Sequence, residues 1–215
     1  MTVTVQELMA AAGIIPVLTV EARADSAPLA RALHAGGLRV IEMTMRTPDA
    51  LPIMEAMKAE QPDLIIGMGT IRTPDDIKSA VGHGADFLVS PGLTPVLADA
   101  LLASGVPCLP GVSTASEAMR ASEMGFNGLK FFPAEAAGGV DFLKSLSGPL
   151  PDIRFCPTGG ISKDRVKDYL ALANVGCVGG SWIAPPALLK SRDWEQIEAN
   201  ARMAAQQTVS EKARH

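Results

Sequence analysis

The sequence is poor in the residues on which most metal and nucleophile chemistry depends. It holds three histidines and three cysteines in 215 residues, and aromatic side chains make up only 4%. Cys108, Cys156 and Cys177 are far apart and odd in number, which argues against a disulfide framework or a closely spaced zinc pair; they read as small buried hydrophobes. His34 and His83 fall in helix-like stretches and His215 is the last residue, so a His-based metal site or triad has no support and no metal is expected. Clustered Lys and Arg are also missing, and the formal net charge is -4, so a nucleic-acid partner is not expected. No run approaches the roughly 20 apolar residues of a membrane-spanning helix. The opening "MTVTVQELMAAAG" has an early acid and no basic region to begin a signal peptide, and the expected location is the cytoplasm.

What is present is a compact aliphatic composition, 47% hydrophobic and 20% charged, arranged with a clear repeat. Apolar runs that stop at Gly, Pro, Ser or Thr alternate with helix-period segments in eight cycles of about 20 to 25 residues. The expected strands are "IIPVL" (14–18), "RVIEMT" (39–44), "LIIGMG" (64–69), "DFLVS" (86–90), "VPCLP" (106–110), "GLKFF" (128–132), "IRFCP" (153–157) and "VGCVGG" (175–180). Helix starts are expected at "TPDA" (47), "TPDDI" (73), "STASEA" (113) and "SKDRV" (162), and glycine stops at "HAGG" (34) and "SEMG" (122). Near-continuous apolar strands alternating with helices mean a parallel sheet covered by helices, and eight units close most simply into a (β/α)8 TIM barrel. An open doubly wound sheet is the alternative; no G-x-G-x-x-G fingerprint follows any strand to support it. The first dozen residues predict an extra N-terminal helix over the barrel floor. With no linker in view, residues 1–215 are read as a single domain.

In a barrel of this kind the active site lies at the carboxyl ends of the strands, so polar residues there carry functional weight. In "RVIEMTMR" Val40, Glu42 and Thr44 share one face, and a carboxylate inside an apolar strand is costly to bury. An ion pair with Arg46 is the structural alternative, although four extended residues span about 13 Å. Lys130, in "GLKFF", has the parity of Gly128 and Phe132 and, if inward, meets Glu42. Burial disfavours the charged form of an amine, and the neutral form attacks a carbonyl to make a Schiff base. A permanent cation holding an anion, or a lysine snorkelling outward, are the competing readings. The glycine pairs in "TGGIS" (158–162) and "GGSW" (179–182) follow the last two strands, where barrels commonly bind phosphate; tight turns are the alternative for each. Ser181 adds a hydroxyl. Thr70 in "GMGT" suits a substrate carboxylate and Pro91 in "VSPG" a pocket wall, although both also pass as turn formers. Glu135 is read as a solvated or helix-capping acid, and the ten methionines as core filler.

Taken together, "GIIPVL", "IEMTMRT", "GMGTI", "VSPG", "PGVST", "LKFFPAE", "PTGGI" and "GGSWIAP" resemble, in order and spacing and nearly end to end, the class I 2-keto-3-deoxy-6-phosphogluconate (KDPG) aldolase family. That family also acts on 4-hydroxy-2-oxoglutarate (KHG). The resemblance implies that Lys130 forms the imine, that Glu42 is the general acid and base, and that Arg46 and Thr70 hold the pyruvyl carboxylate. Pro91 would line the pocket, Thr158 would lie near the substrate hydroxyls, and Gly159, Gly160, Gly180 and Ser181 would hold the phosphate. It further implies a homotrimer needing no metal or organic cofactor, and cleavage of a phosphorylated keto-sugar acid to pyruvate and D-glyceraldehyde 3-phosphate in the Entner-Doudoroff pathway. Met43, Met45 and Met68 vary from common forms but exchange apolar for apolar. An aldolase for the galactonate epimer and a non-catalytic phosphosugar-binding barrel are the alternatives.

Overall fold

The computed structural model describes residues 4–212, with side chains through residue 207; Met1 to Val3 and His215 lie outside the described residues. Nine short strands follow one another among the described residues: β1 (Ile14–Leu18), β2 (Val40–Thr44), β3 (Ile65–Gly69), β4 (Leu88–Val89), β5 (Cys108–Leu109), β6 (Gly111–Val112), β7 (Gly128–Phe131), β8 (Arg154–Pro157) and β9 (Val178–Gly180). All pairings are parallel. Six strands form a curled sheet in the order β5-β4-β3-β2-β1-β9, and three form a second sheet, β6-β7-β8. Isolated parallel bridges Phe155↔Val175 and Thr158↔Gly179 link the β8 region to that of β9.

Seven of the eight expected strands appear as single elements, most of them a residue or two shorter. The fifth is strand only at Cys108–Leu109, and β6 begins beyond its expected end at Pro110. Proline has no N–H to give to a ladder, and Pro110 separates β5 from β6 while its carbonyl accepts from the Lys130 N–H at 2.9 Å. The pleat then sorts side chains to two layers. Ile15, Val40, Phe87, Val89, Leu109, Cys156 and Cys177 gather on the inner side with Leu8, Met9 and Ala12. Those last three belong to the N-terminal helix Val5–Ala12, which is therefore packed against the inner layer as expected. The residues of opposite parity, among them Ile41, Met43, Leu129, Phe131 and Phe155, join the larger cluster beneath the covering helices.

Helix starts follow the cap chemistry at two of the four expected places. Thr73 and Thr114 each accept from the N–H three residues on, completed by Asp76 and Glu117 as capping boxes. At 47 and 162 the expectation fails. Thr47 spends its hydroxyl on the Val20 carbonyl at 2.8 Å, so the helix starts at Ala50 without a side-chain cap. After Ser162 the chain makes a turn, Arg165 N–H to Ser162 carbonyl, before the helix Val166–Leu170. Gly37 and Gly125, with φ of 92° and 99°, end their helices in the left-handed geometry that glycine adopts at no steric cost.

Candidate active site

Glu42 sits mid-strand in β2, and parity points it to the inner side with Val40. Lys130 sits in β7, paired in register with Gly111 on one side and Cys156 on the other. The two side chains meet: Lys130 Nζ lies 3.1 Å from Glu42 Oε1 and 3.4 Å from Oε2. Both residues are nearly sealed, at 4% and 3% exposure, so each is the other's counter-charge in a setting where an unpaired ion is costly. The Lys130 nitrogen also stands 5.3 Å from the Phe132 ring centroid. Room for the glutamate comes from Gly69: a Cβ there would overlap Glu42 Oε1 and lie 2.8 Å from its Cδ.

The ion pair between Glu42 and Arg46, weighed from the sequence, does not form. Arg46 is exposed beyond the end of β2, and its Nε donates to Thr70 Oγ1 at 3.1 Å. Thr70 holds a φ of 65°, an unfavourable conformation for a β-branched residue and a mark of a functionally constrained position. Thr44 is fully buried, bonded to the Leu18 carbonyl and to Thr19. Pro91 is exposed at the end of β4, with its carbonyl group so near Gly111 that a Cβ at 111 would overlap it.

Thr158 is buried above Cys156, and a Cβ at Gly179 would overlap its hydroxyl. Gly159 and Gly160 follow with φ of 107° and 79°. Their carbonyl sides are anchored: the Thr158 oxygen accepts from Ala134 N–H at 2.8 Å and the Gly159 oxygen from Glu135 N–H at 3.1 Å. The Gly159 N–H faces the Gly179 carbonyl across the Thr158↔Gly179 bridge, whereas the Gly160 N–H is not donated to any other group among the described residues. A free amide in a turn of two glycines at positive φ is suited to an anion. Gly180 is buried at the end of β9 and Ser181 is exposed directly after it.

Two features escaped the sequence reading. Cys156, taken for core filler, neighbours Lys130, and its thiol is held below the ordinary range, chiefly by a hydrogen bond from Cys177, with Lys130's charge assisting and burial opposing. Its parity with Thr158 in "IRFCPT" was the available signal. Glu135 is half-buried and caps no helix: it accepts from the hydroxyl of the buried Tyr169 at 2.6 Å, a pairing between residues 34 apart that no local pattern reveals. Among the described residues no group of three or more His, Cys, Asp or Glu is placed to hold a metal ion, and no helix is long and apolar enough to cross a membrane.

The family model for KDPG and KHG aldolase matches residues 5–200. A 2-dehydro-3-deoxy-phosphogluconate aldolase of Pseudomonas aeruginosa is 46% identical over 214 residues, covering 100% of this chain and 97% of that one. The KHG/KDPG aldolase of Escherichia coli is 42% identical over 201 residues, 94% of each chain. Among solved structures, KDPG aldolase of Legionella pneumophila, with pyruvate captured at low pH as a covalent carbinolamine intermediate, superposes with a TM-score of 0.91. It is 44% identical, over 94% of this chain and 98% of that one.

Proposed function

The chain belongs to the KDPG and KHG aldolase family, and from that premise we propose that it is a class I aldolase, a carbon–carbon lyase. Its substrate is 2-dehydro-3-deoxy-6-phospho-D-gluconate, cleaved to pyruvate and D-glyceraldehyde 3-phosphate, with 4-hydroxy-2-oxoglutarate as a second substrate. The observation that carries the reading is the sealed Lys130–Glu42 contact, an amine with a proton acceptor 3.1 Å away.

The steps follow from that contact. Glu42 takes a proton from Lys130, and the neutral amine adds to the C2 keto carbon to give a carbinolamine. Loss of water, with Glu42 returning the proton, leaves an iminium that draws electrons from the C3–C4 bond. Removal of the C4 hydroxyl proton breaks that bond and releases the aldehyde. The remaining enamine is protonated at C3, and water then hydrolyses the iminium to free pyruvate and restore the amine. Glu42 serves as acid and base in turn. Arg46 and Thr70, joined by their hydrogen bond, are the pair we assign to the pyruvyl carboxylate, with Pro91 as pocket wall. Thr158 is assigned to the substrate hydroxyls, and Gly159, Gly160, Gly180 and Ser181 to the phosphate, supported by the unspent Gly160 amide.

Around this chemistry we read one domain, a closed (β/α)8 barrel in which β5 and β6 count as a single strand interrupted at Pro110. The Thr158↔Gly179 and Phe155↔Val175 bridges support closure at the other seam. A homotrimer in the cytoplasm is the proposed assembly, supported by the family resemblance; sedimentation at three times 22.4 kDa is the check. Borohydride reduction in the presence of pyruvate should add a covalent mass to the peptide carrying Lys130. An unchanged mass rejects the aldolase in favour of a phosphosugar-binding barrel, and parallel rates on the gluconate and galactonate epimers settle the substrate.

A further inference from the structure

We propose that Glu135, anchored by Tyr169, is a positioning residue that aims the Gly160 N–H group at the substrate phosphate and so governs selectivity for phosphorylated substrates. The proposal rests on reading Gly160 as part of the phosphate site.

The argument starts from the planarity of the peptide unit. In a trans peptide the carbonyl oxygen of one residue and the N–H of the next point in opposite directions. Fixing the Thr158 carbonyl therefore turns the Gly159 N–H toward Gly179 across the Thr158↔Gly179 bridge, and fixing the Gly159 carbonyl sets the direction of the open Gly160 N–H. Those two carbonyls accept from the N–H groups of Ala134 and Glu135, at 2.8 and 3.1 Å. Two glycines at positive φ have no intrinsic preference for this geometry and sample several others, so the orientation depends on what holds residues 134 and 135 still.

Glu135 is the residue held. Its backbone anchors the loop, and its side chain supports the loop from beneath: a Cβ at Gly160 would lie 3.0 Å from Glu135 Cβ and 3.2 Å from its Cγ. Its carboxylate is then tied to Tyr169, whose ring is fully buried under the helix Val166–Leu170. The seat is tight on a further side, since a Cβ at Gly139 would come 3.2 Å from the Tyr169 oxygen. Burial, then the Glu135 hydrogen bond and charge, push the Tyr169 phenol well above its ordinary range, with Arg165 opposing; the phenol thus remains a donor to a carboxylate at neutral pH. That bond also occupies one oxygen of an acid standing beside an anion site, where a freely turning carboxylate would repel phosphate.

The test compares Tyr169→Phe, Glu135→Ala and Glu135→Gln with wild type on the phosphorylated substrate and on 4-hydroxy-2-oxoglutarate, which has no phosphate. Tyr169→Phe and Glu135→Ala should raise KM for the phosphorylated substrate about tenfold with little change on the unphosphorylated one, and Glu135→Gln, whose amide oxygen still accepts, should restore most of it. Equal losses on both substrates, or none on either, overturn the positioning role. Inorganic phosphate separates this from failure of the site itself: a wild type insensitive to phosphate overturns the anion site and this role together. Where phosphate inhibits wild type and Glu135→Ala alike, only the role is lost. Tyr169 is the sole tyrosine of the chain, so alkaline titration of phenolate absorbance reports it alone. The titration should move to lower pH in Glu135→Ala, and identical curves in the two proteins overturn the contact.

Discussion

Lys130 and Glu42, 88 residues apart in sequence, form a buried ion pair at 3.1 Å in the inner layer of the fold. Because each neutralises the other where burial leaves little solvent screening, removing either charge is costly. Glu42→Gln keeps the size of the side chain and an acceptor for Lys130 but removes the proton-carrying group. It should keep the wild-type circular dichroism spectrum at a lowered denaturation midpoint, with kcat for cleavage reduced about 10²- to 10⁴-fold. Near-normal turnover removes Glu42 from the mechanism.

Gly69 supplies the second prediction. A methyl group at 69 would overlap the Glu42 carboxylate while leaving the strand's backbone pattern intact. Gly69→Ala should therefore turn the carboxylate away from Lys130 and lower kcat about 10²-fold, the scale of an ångström's misplacement at a reacting centre. Gly148, where a Cβ would meet nothing within 4 Å, provides the control: Gly148→Ala should leave kcat unchanged.

The alternation of apolar strands with helices was legible because burial on both faces writes continuous runs into the sequence, and the inward parity of Glu42 and Lys130 followed from the two-residue period of a strand. Their meeting was expected only on the condition that both faced inward. The run "VPCLP" was ended at Pro110, and the two-residue strand beyond it, Gly111–Val112, went unseen because it is too short to leave a period of its own. Thr47 was misread because its competing acceptor, the Val20 carbonyl, lies 27 residues away. Glu135 was misread for the same reason: Tyr169 reaches it through the fold and leaves no mark on its neighbours in the chain. Local chemistry, then, identified candidates, and partnerships across the sheet decided their roles.

The Arg46–Thr70 bond gives a prediction confined to substrate affinity. Thr70→Val keeps the branched shape and removes the oxygen that accepts from Arg46 Nε, so the guanidinium loses its fixed direction. KM for the keto acid should rise about 10-fold, the value of one charge-assisted hydrogen bond, and kcat should fall less. A kcat loss exceeding the KM effect places Thr70 in the chemistry instead of in binding.

Cys108 gives the last prediction, one of alkaline stability. Its thiol is buried, and burial raises its pKa from 9.0 to about 11, opposed weakly by Ser104. The unfolded chain releases this proton near pH 9 while the folded chain keeps it, so the folded state binds more protons in that interval and stability falls as pH rises. The contribution is complete below pH 9 and lost as pH passes about 11, on the order of 2–3 kcal/mol in all. Tyr169, also raised, loses its contribution at higher pH and sustains the decline. Denaturant midpoints at pH 8, 10 and 11 should drop steeply for wild type and less steeply for Cys108→Ala, whose lower midpoint at pH 8 reflects lost packing alone. Parallel declines in the two proteins would mean that the Cys108 thiolate forms as readily in the folded chain as in the unfolded one.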